Sequence, residues 1–198
     1  MKRLIVFASG SGSNFKAIYN NIKKQKIKNA NIELLVSNNS KSGAVLFAKN
    51  NSINTFIINQ KIHPDRKEYI KSLNDRLLSC NPHLIILAGY MKLIPKEVVK
   101  LFNNKIINIH PGKLPEFGGK GYYGLNVHNA VISSKVNKTA VTIHYVNEEY
   151  DEGLTIHEEP IEVFKNDTAE SLSNRVLSYE HKLYSKIINQ LINKVENE

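Results

Sequence analysis

An asparagine and a histidine stand two residues apart at the end of an apolar run, in Ile107-Asn108-Ile109-His110-Pro111-Gly112-Lys113-Leu114-Pro115. Alternate residues of a strand face the same way. The spacing therefore predicts that Asn108 and His110 project side by side where a buried strand ends. That edge is where open α/β sheets place their chemistry. The amide is a neutral hydrogen-bond donor, and the imidazole titrates near neutrality. Acyl or formyl transfer needs such a pair where negative charge develops on a carbonyl oxygen. Taken alone, the histidine reads as readily as a structural residue.

A second stretch, Ala8-Ser9-Gly10-Ser11-Gly12-Ser13-Asn14, follows the first apolar run and precedes a helical pattern. Glycines let the backbone approach a ligand, and the free N–H groups and dipole of a helix start favour an anion. The third glycine of a dinucleotide fingerprint and the lysine of a nucleoside-triphosphate loop are both missing. The stretch thus points to a monophosphate or another small anion. Its structural alternative is a plain strand-to-helix turn capped by Ser13 or Asn14.

Two further segments complete the set. In Leu87-Ala88-Gly89-Tyr90-Met91-Lys92-Leu93-Ile94-Pro95, Gly89 permits close backbone approach and the apolar residues after it can wall a flat ligand or simply pack in the core. In Thr142-Ile143-His144-Tyr145-Val146-Asn147-Glu148-Glu149-Tyr150-Asp151-Glu152-Gly153, an alternating strand runs into an acidic turn. Most of those acids read as solvated. A buried Asp151 is the exception, because it would pair with His110, favour the charged imidazole and raise its pKa. His144 reads as a polar residue that supports the site or the fold.

Apolar runs at 4–8, 32–36, 55–58, 84–88 and 106–109 alternate with helical spacing at 14–23, 43–50, 66–80 and 96–102. This order predicts a mostly parallel α/β sheet with helices on both faces. Pro64, Pro82 and Pro95 mark transitions, with Pro95 opening a helix. Residues 112–124 hold five of the ten glycines and predict a long mobile loop. A helix at 125–133, extended stretches at 139–146 and 154–163, and a helix at 168–195 capped by Thr168, Ser171 or Asp167 complete the reading. No repeat, linker or second-domain boundary is visible in the 198 residues.

The bulk properties bound the function. Hydrophobic residues make up 41% of the chain, enough for a sizeable core. A single cysteine, Cys80, excludes an internal disulfide framework and a Cys-rich metal site. No apolar run approaches a membrane span, and the run after Met1-Lys2-Arg3 is too short for a signal-peptide core. The expectation is cytoplasmic residence without a membrane partner. The net charge of +9 is dispersed among asparagines and isoleucines, with one cluster at Lys23-Lys24-Gln25-Lys26-Ile27-Lys28 that reads as a solvated helix end. That is weak support for a nucleic-acid partner, and none is expected.

These segments, in this order, resemble the phosphoribosylglycinamide formyltransferase family of the purine pathway. The matching residues are Ser9-Gly10-Ser11-Gly12-Ser13-Asn14, Leu87-Ala88-Gly89-Tyr90-Met91, Asn108-Ile109-His110-Pro111 with Leu114-Pro115, and His144 followed by Tyr150-Asp151-Glu152-Gly153. Arg175-Val176-Leu177-Ser178-Tyr179-Glu180-His181 fits as well. The resemblance implies one Rossmann-like formyltransferase domain over 1–198, with an antiparallel C-terminal extension. It implies a ribonucleotide phosphate-binding half at 1–104 and a catalytic, folate-binding half at 105–198.

The resemblance also implies roles. Asn108, His110 and Asp151 match the catalytic trio. Gly12, Ser13 and Asn14 match the phosphate loop, and Glu180 matches the acid at the glycinamide amine. Arg66, Met91, Lys92, Leu93, Ile94 and Asn108 match the folate side, with Lys92 where relatives often have arginine. The glycine-rich loop from Gly112 resembles a variant branch, since many relatives carry serine or alanine at that position. The implied reaction moves the formyl group of the cosubstrate 10-formyltetrahydrofolate to the amine of glycinamide ribonucleotide, with no metal, in a monomer or homodimer. Rival readings are another folate-dependent formyltransferase or a formyltetrahydrofolate deformylase, for whose usual extra domains this length leaves no room. A basic nucleotide- or RNA-binding module is the non-enzyme alternative.

Overall fold

The computed structural model describes residues 1–194. Val195, the expected end of the last helix, lies outside the described residues, as do the last residues of the expected domain. The elements run β1 (Lys2–Phe7), α1 (Ser13–Lys23), β2 (Ala30–Ser37), α2 (Gly43–Asn50), β3 (Thr55–Ile57), α3 (Arg66–Cys80) and β4 (Leu84–Leu87). They continue with α4 (Lys96–Leu101), β5 (Ile106–His110), α5 (Leu125–Ser133), β6 (Lys138–Tyr145), β7 (Thr155–Glu162) and α6 (Ala169–Ile192). Every strand and helix expected from the sequence is present, with ends shifted by a residue or two except at the C-terminus of α6. Pro95 is one such shift: it is the N-cap of α4 rather than its first residue.

The sheet order is β3-β2-β1-β4-β5-β6-β7. Pairs from β3 to β5 are parallel, while β5 with β6 and β6 with β7 are antiparallel. The central strands are buried on both faces, which is why they read as continuous apolar runs. Leu4 and Val6 pack with α1, α2, α5 and α6, whereas Ile5 and Phe7 pack with α3 and α4. The direction of winding reverses between β1 and β4, and ligand crevices form outside the carboxyl ends of strands at such a point.

Two contacts set the strand ends that matter here. The buried Tyr184 hydroxyl on α6 lies 2.9 Å from the Leu87 carbonyl and 3.1 Å from that of Ile107, bracing β4 against β5. At its start, α6 is fixed by a reciprocal cap between Thr168 and Ser171. Asp167 instead grips Arg175 through two bonds of 2.6 and 2.8 Å.

Candidate functional site

A cavity of about 520 Å³ opens at the carboxyl ends of β1, β4 and β5. Its walls are residues 10–14, 87–94 and 108–111, with residues 119–124 of the glycine-rich loop, the turn at 149–151 and part of α6. The size suits a small-molecule site.

Asp151 is the hub of its polar side chains. Asn108 and His110 share one face of β5, and Asn108 stands opposite His144 on β6. The turn after β6 then brings Asp151, in a left-handed conformation with φ of 58°, over both. Its Oδ1 accepts from the Asn108 amide at 3.3 Å and lies 3.5 Å from His144 Nε2. Its Oδ2 accepts from the Gly119 N–H at 3.0 Å and lies 3.4 Å from His110 Nδ1. His144 Nδ1 donates to the Tyr145 carbonyl at 2.8 Å, and its Nε2 faces the Asn108 amide at 3.2 Å as well as Asp151. His110 Nε2 donates to the Phe117 carbonyl at 2.6 Å. The donors of Asn108 and His110 are therefore already directed at acceptors within the protein.

The electrostatics correct one expectation. Burial is the largest influence on His110 and pulls its pKa below the ordinary value; the Asp151 charge and the Phe117 carbonyl act upward but do not prevail. The partner that should have raised the pKa is present, yet only 4% of the His110 side chain is exposed and desolvation wins. Burial works to raise the Asp151 carboxyl, but the imidazoles of His144 and His110 and the Gly119 N–H together hold it below the ordinary value. The site thus keeps a carboxylate beside a ring that resists protonation.

The turn after β1 forms the other end of the cavity. Gly12 caps α1 with φ of 73° and no side-chain hydrogen bond, leaving the first N–H groups of the helix free of a side-chain cap. Neither Ser13 nor Asn14 is the cap. Only glycine suits position 12, because a Cβ there would lie 2.8 Å from the Cβ of Ala44. The Asn14 side chain is buried and donates to Glu180 Oε2 at 2.7 Å. One N–H of the amide is thereby held by the acid, while Oδ1 is buried without a partner among the described residues. Burial pushes the Glu180 carboxyl up to about 7, against the lowering effect of Asn14.

Gly12, Ser13, Asn14, Met91, Lys92, Leu93, Ile94, Asn108, His110, His144, Asp151 and Glu180 all line the one cavity. Arg66 does not. It begins α3, and its guanidinium pairs with Glu97 at 3.1 Å on the surface. Residues the sequence reading passed over also line the cavity, among them Lys120, Tyr122, Tyr123 and His128. For His128 the available signal was its place beside Val127 and Val131 on the buried stripe of α5. The Ser9 hydroxyl accepts from the Met91 N–H at 3.1 Å and ties the β1 turn to the β4 wall. Gly112 also has a local reason: a Cβ there would lie 2.9 Å from Val127 Cγ1 and 3.2 Å from His110 Nε2.

A family profile described as formyl transferase matches residues 2–188. The chain belongs to the formyl transferase family. Among relatives, it is 42% identical over 195 residues to a protein of Vigna unguiculata named phosphoribosylglycinamide formyltransferase, chloroplastic. That match covers 96% of this chain and 61% of the plant protein, so the chain spans under two thirds of that relative's length. A phosphoribosylglycinamide formyltransferase of Bacillus subtilis is 34% identical over 192 residues, covering 97% of this chain and 95% of the relative. The crystal structure of phosphoribosylglycinamide formyltransferase from Bacillus halodurans superposes with a TM-score of 0.90 at 32% identity, covering 99% of this family member and 98% of that chain. Among the described residues no helix is long and apolar enough to cross a membrane.

Proposed function

We propose that the chain transfers the formyl group of 10-formyltetrahydrofolate to the amine of N1-(5-phospho-D-ribosyl)glycinamide, in de novo purine biosynthesis. The observation that carries this reading is the Asp151 carboxylate between Asn108 and His110, in a cavity whose other end is the uncapped start of α1. The phosphate would take the N–H groups at Gly12, Ser13 and Asn14. Glu180, with its carboxyl near 7, would accept from the substrate amine. Met91, Leu93 and Ile94 supply an apolar strip that suits a flat ring, with Lys92 at its rim; Arg66, paired elsewhere, is left out. Residues 1–104 would thus supply the phosphate turn and 105–198 the trio, although each half also lends walls to the other's ligand.

The folate substrate supplies an activated formyl carbon. The amine attacks it, a C–N bond forms and the carbonyl oxygen becomes an oxyanion; the C=O bond then re-forms as the bond to the folate nitrogen breaks. The proton leaves the amine and ends on that nitrogen. Asn108 is the donor most easily redirected to the oxygen, because its present bonds are long, at 3.2 and 3.3 Å. His110 has the shorter commitment, at 2.6 Å, and acts with Asp151 in moving the proton.

The test follows folate absorbance with purified chain, supplying glycinamide ribonucleotide, water alone or formyl-acceptor tRNA. Turnover that requires glycinamide ribonucleotide supports the proposal. Equal turnover in water would identify a deformylase, and turnover only with tRNA another formyltransferase. Tight, salt-sensitive RNA binding without folate binding would favour the basic binding module. Cytoplasmic residence and a monomeric or homodimeric state belong to the same proposal; cell fractionation and sedimentation check them.

A further inference from the structure

The centre around Asp151 has a deficit of free donors. An oxyanion site needs hydrogen-bond donors aimed where the charge develops. The Asn108 amide donates to Asp151 and faces His144, the His110 Nε2–H is held by the Phe117 carbonyl, and Nδ1 of His110 faces Asp151. A further imidazole lines the same cavity without any such commitment.

That ring is His128. It is 3% exposed and stands on the buried stripe of α5, between Val127 and Val131. Its Nδ1 is sealed from solvent and has no hydrogen-bond partner among the described residues. Buried polar atoms are nearly always bonded, so one left open calls for a physical reason. Orphaned N–H groups are rarer in native proteins than under-satisfied acceptors, at least on the backbone. The same preference leaves Nδ1 as a lone pair and puts the ring proton on Nε2. The ring also stays neutral: burial, then the neighbouring His110, hold its pKa down at about 4.

We propose that His128 is the uncommitted donor of this centre, presenting Nε2–H from a neutral imidazole to the formyl oxygen as negative charge builds there. This rests on the formyl-transfer reading of the cavity. A neutral donor suits the position, since it needs no ion partner in a desolvated site and keeps its proton across the working pH range. The role also accounts for an imidazole on a helix stripe whose buried neighbours are valines: leucine would fill the volume but bring no donor.

Two measurements test it. The first is ¹⁵N NMR of the histidine rings in the whole chain, with 10-formyltetrahydrofolate as the added probe. The expected result is a His128 ring protonated at Nε2 in the free protein, with that proton shifting when the folate binds. A ring protonated at Nδ1, or one unmoved by the folate, overturns the proposal. The second is steady-state formyl transfer by His128→Phe and His128→Gln. Phe keeps the bulk and removes the donor, so kcat should fall about a hundredfold, with KM for both substrates within about twofold. Gln restores an N–H donor and should recover at least tenfold of that loss. Wild-type kcat in His128→Phe, or equal losses in both variants, overturns the proposal. Wild-type chain inactive toward glycinamide ribonucleotide would sink the formyl-transfer reading instead, and the NMR result would still decide whether His128 is the folate-facing donor.

Discussion

The turn after β1 and the centre around Asp151 occupy two ends of one cavity and are built in opposite ways. The turn is contiguous: Gly12, its left-handed φ and the open start of α1 follow from residues adjacent in the chain. The centre is assembled from β5, β6, the turn at Asp151 and the loop at Phe117 and Gly119. A contiguous site is specified by local conformation. An assembled one depends on strand register and on how much water the packing removes. The Asn14–Glu180 bond joins the two ends, since it links the turn to the middle of α6.

The contrast can be broken by substitutions. The largest effect is expected at the assembled end. Asn108→Ala should lower kcat for formyl transfer by a hundredfold or more, about 3 kcal/mol, with an unchanged melting temperature. Turnover within a fewfold of wild type would show that the donors of the centre are not the ones named.

Glu180→Gln probes the joint. The folded pKa of Glu180 is raised to about 7 from an ordinary 4.5. A raised pKa means stability that is present below 4.5 and lost as pH rises through 7. Between pH 5 and pH 8 the wild type should therefore lose about 2 to 3 kcal/mol that the variant does not. Urea unfolding at the two pH values reads this directly, and parallel losses would mean that the carboxyl is not buried as described.

Gly12→Ala strikes the contiguous end. The positive φ and the contact with Ala44 should destabilise the fold by about 1 to 2 kcal/mol. KM for glycinamide ribonucleotide should rise more than kcat falls. A selective loss of kcat would blur the distinction between the two ends.

The smallest effect is expected outside both. Arg66→Ala removes a surface ion pair with Glu97 and should change stability by less than about 1 kcal/mol. KM for the folate should stay within twofold; a clear increase would return Arg66 to the folate side.

Much of the fold was legible because each element carries its own period. The buried strands read as β-branched runs, and α2, α3 and α5 matched the expected bounds because apolar spacing and flanking turn residues mark them. The shared face of Asn108 and His110 is likewise a property of any strand. Arg66 lies outside the cavity, paired with Glu97, and no local pattern in the sequence announces that carboxylate. For His128 the only sequence signal is its place among helical valines, which marks burial and says nothing of function.

By itself the sequence determined the alternation of strands and helices, the glycine turn before α1 and the pairing of an amide with an imidazole at a strand end. These rest on backbone geometry and on periods of two and 3.6 residues, which act over a few neighbours. Tertiary structure alone decided that Asn14 holds Glu180, that the Phe117 carbonyl occupies His110, and that burial outweighs Asp151 in setting the pKa of that ring. Desolvation and hydrogen-bond partnership depend on atoms far away in the chain, and no local pattern encodes how completely water is excluded.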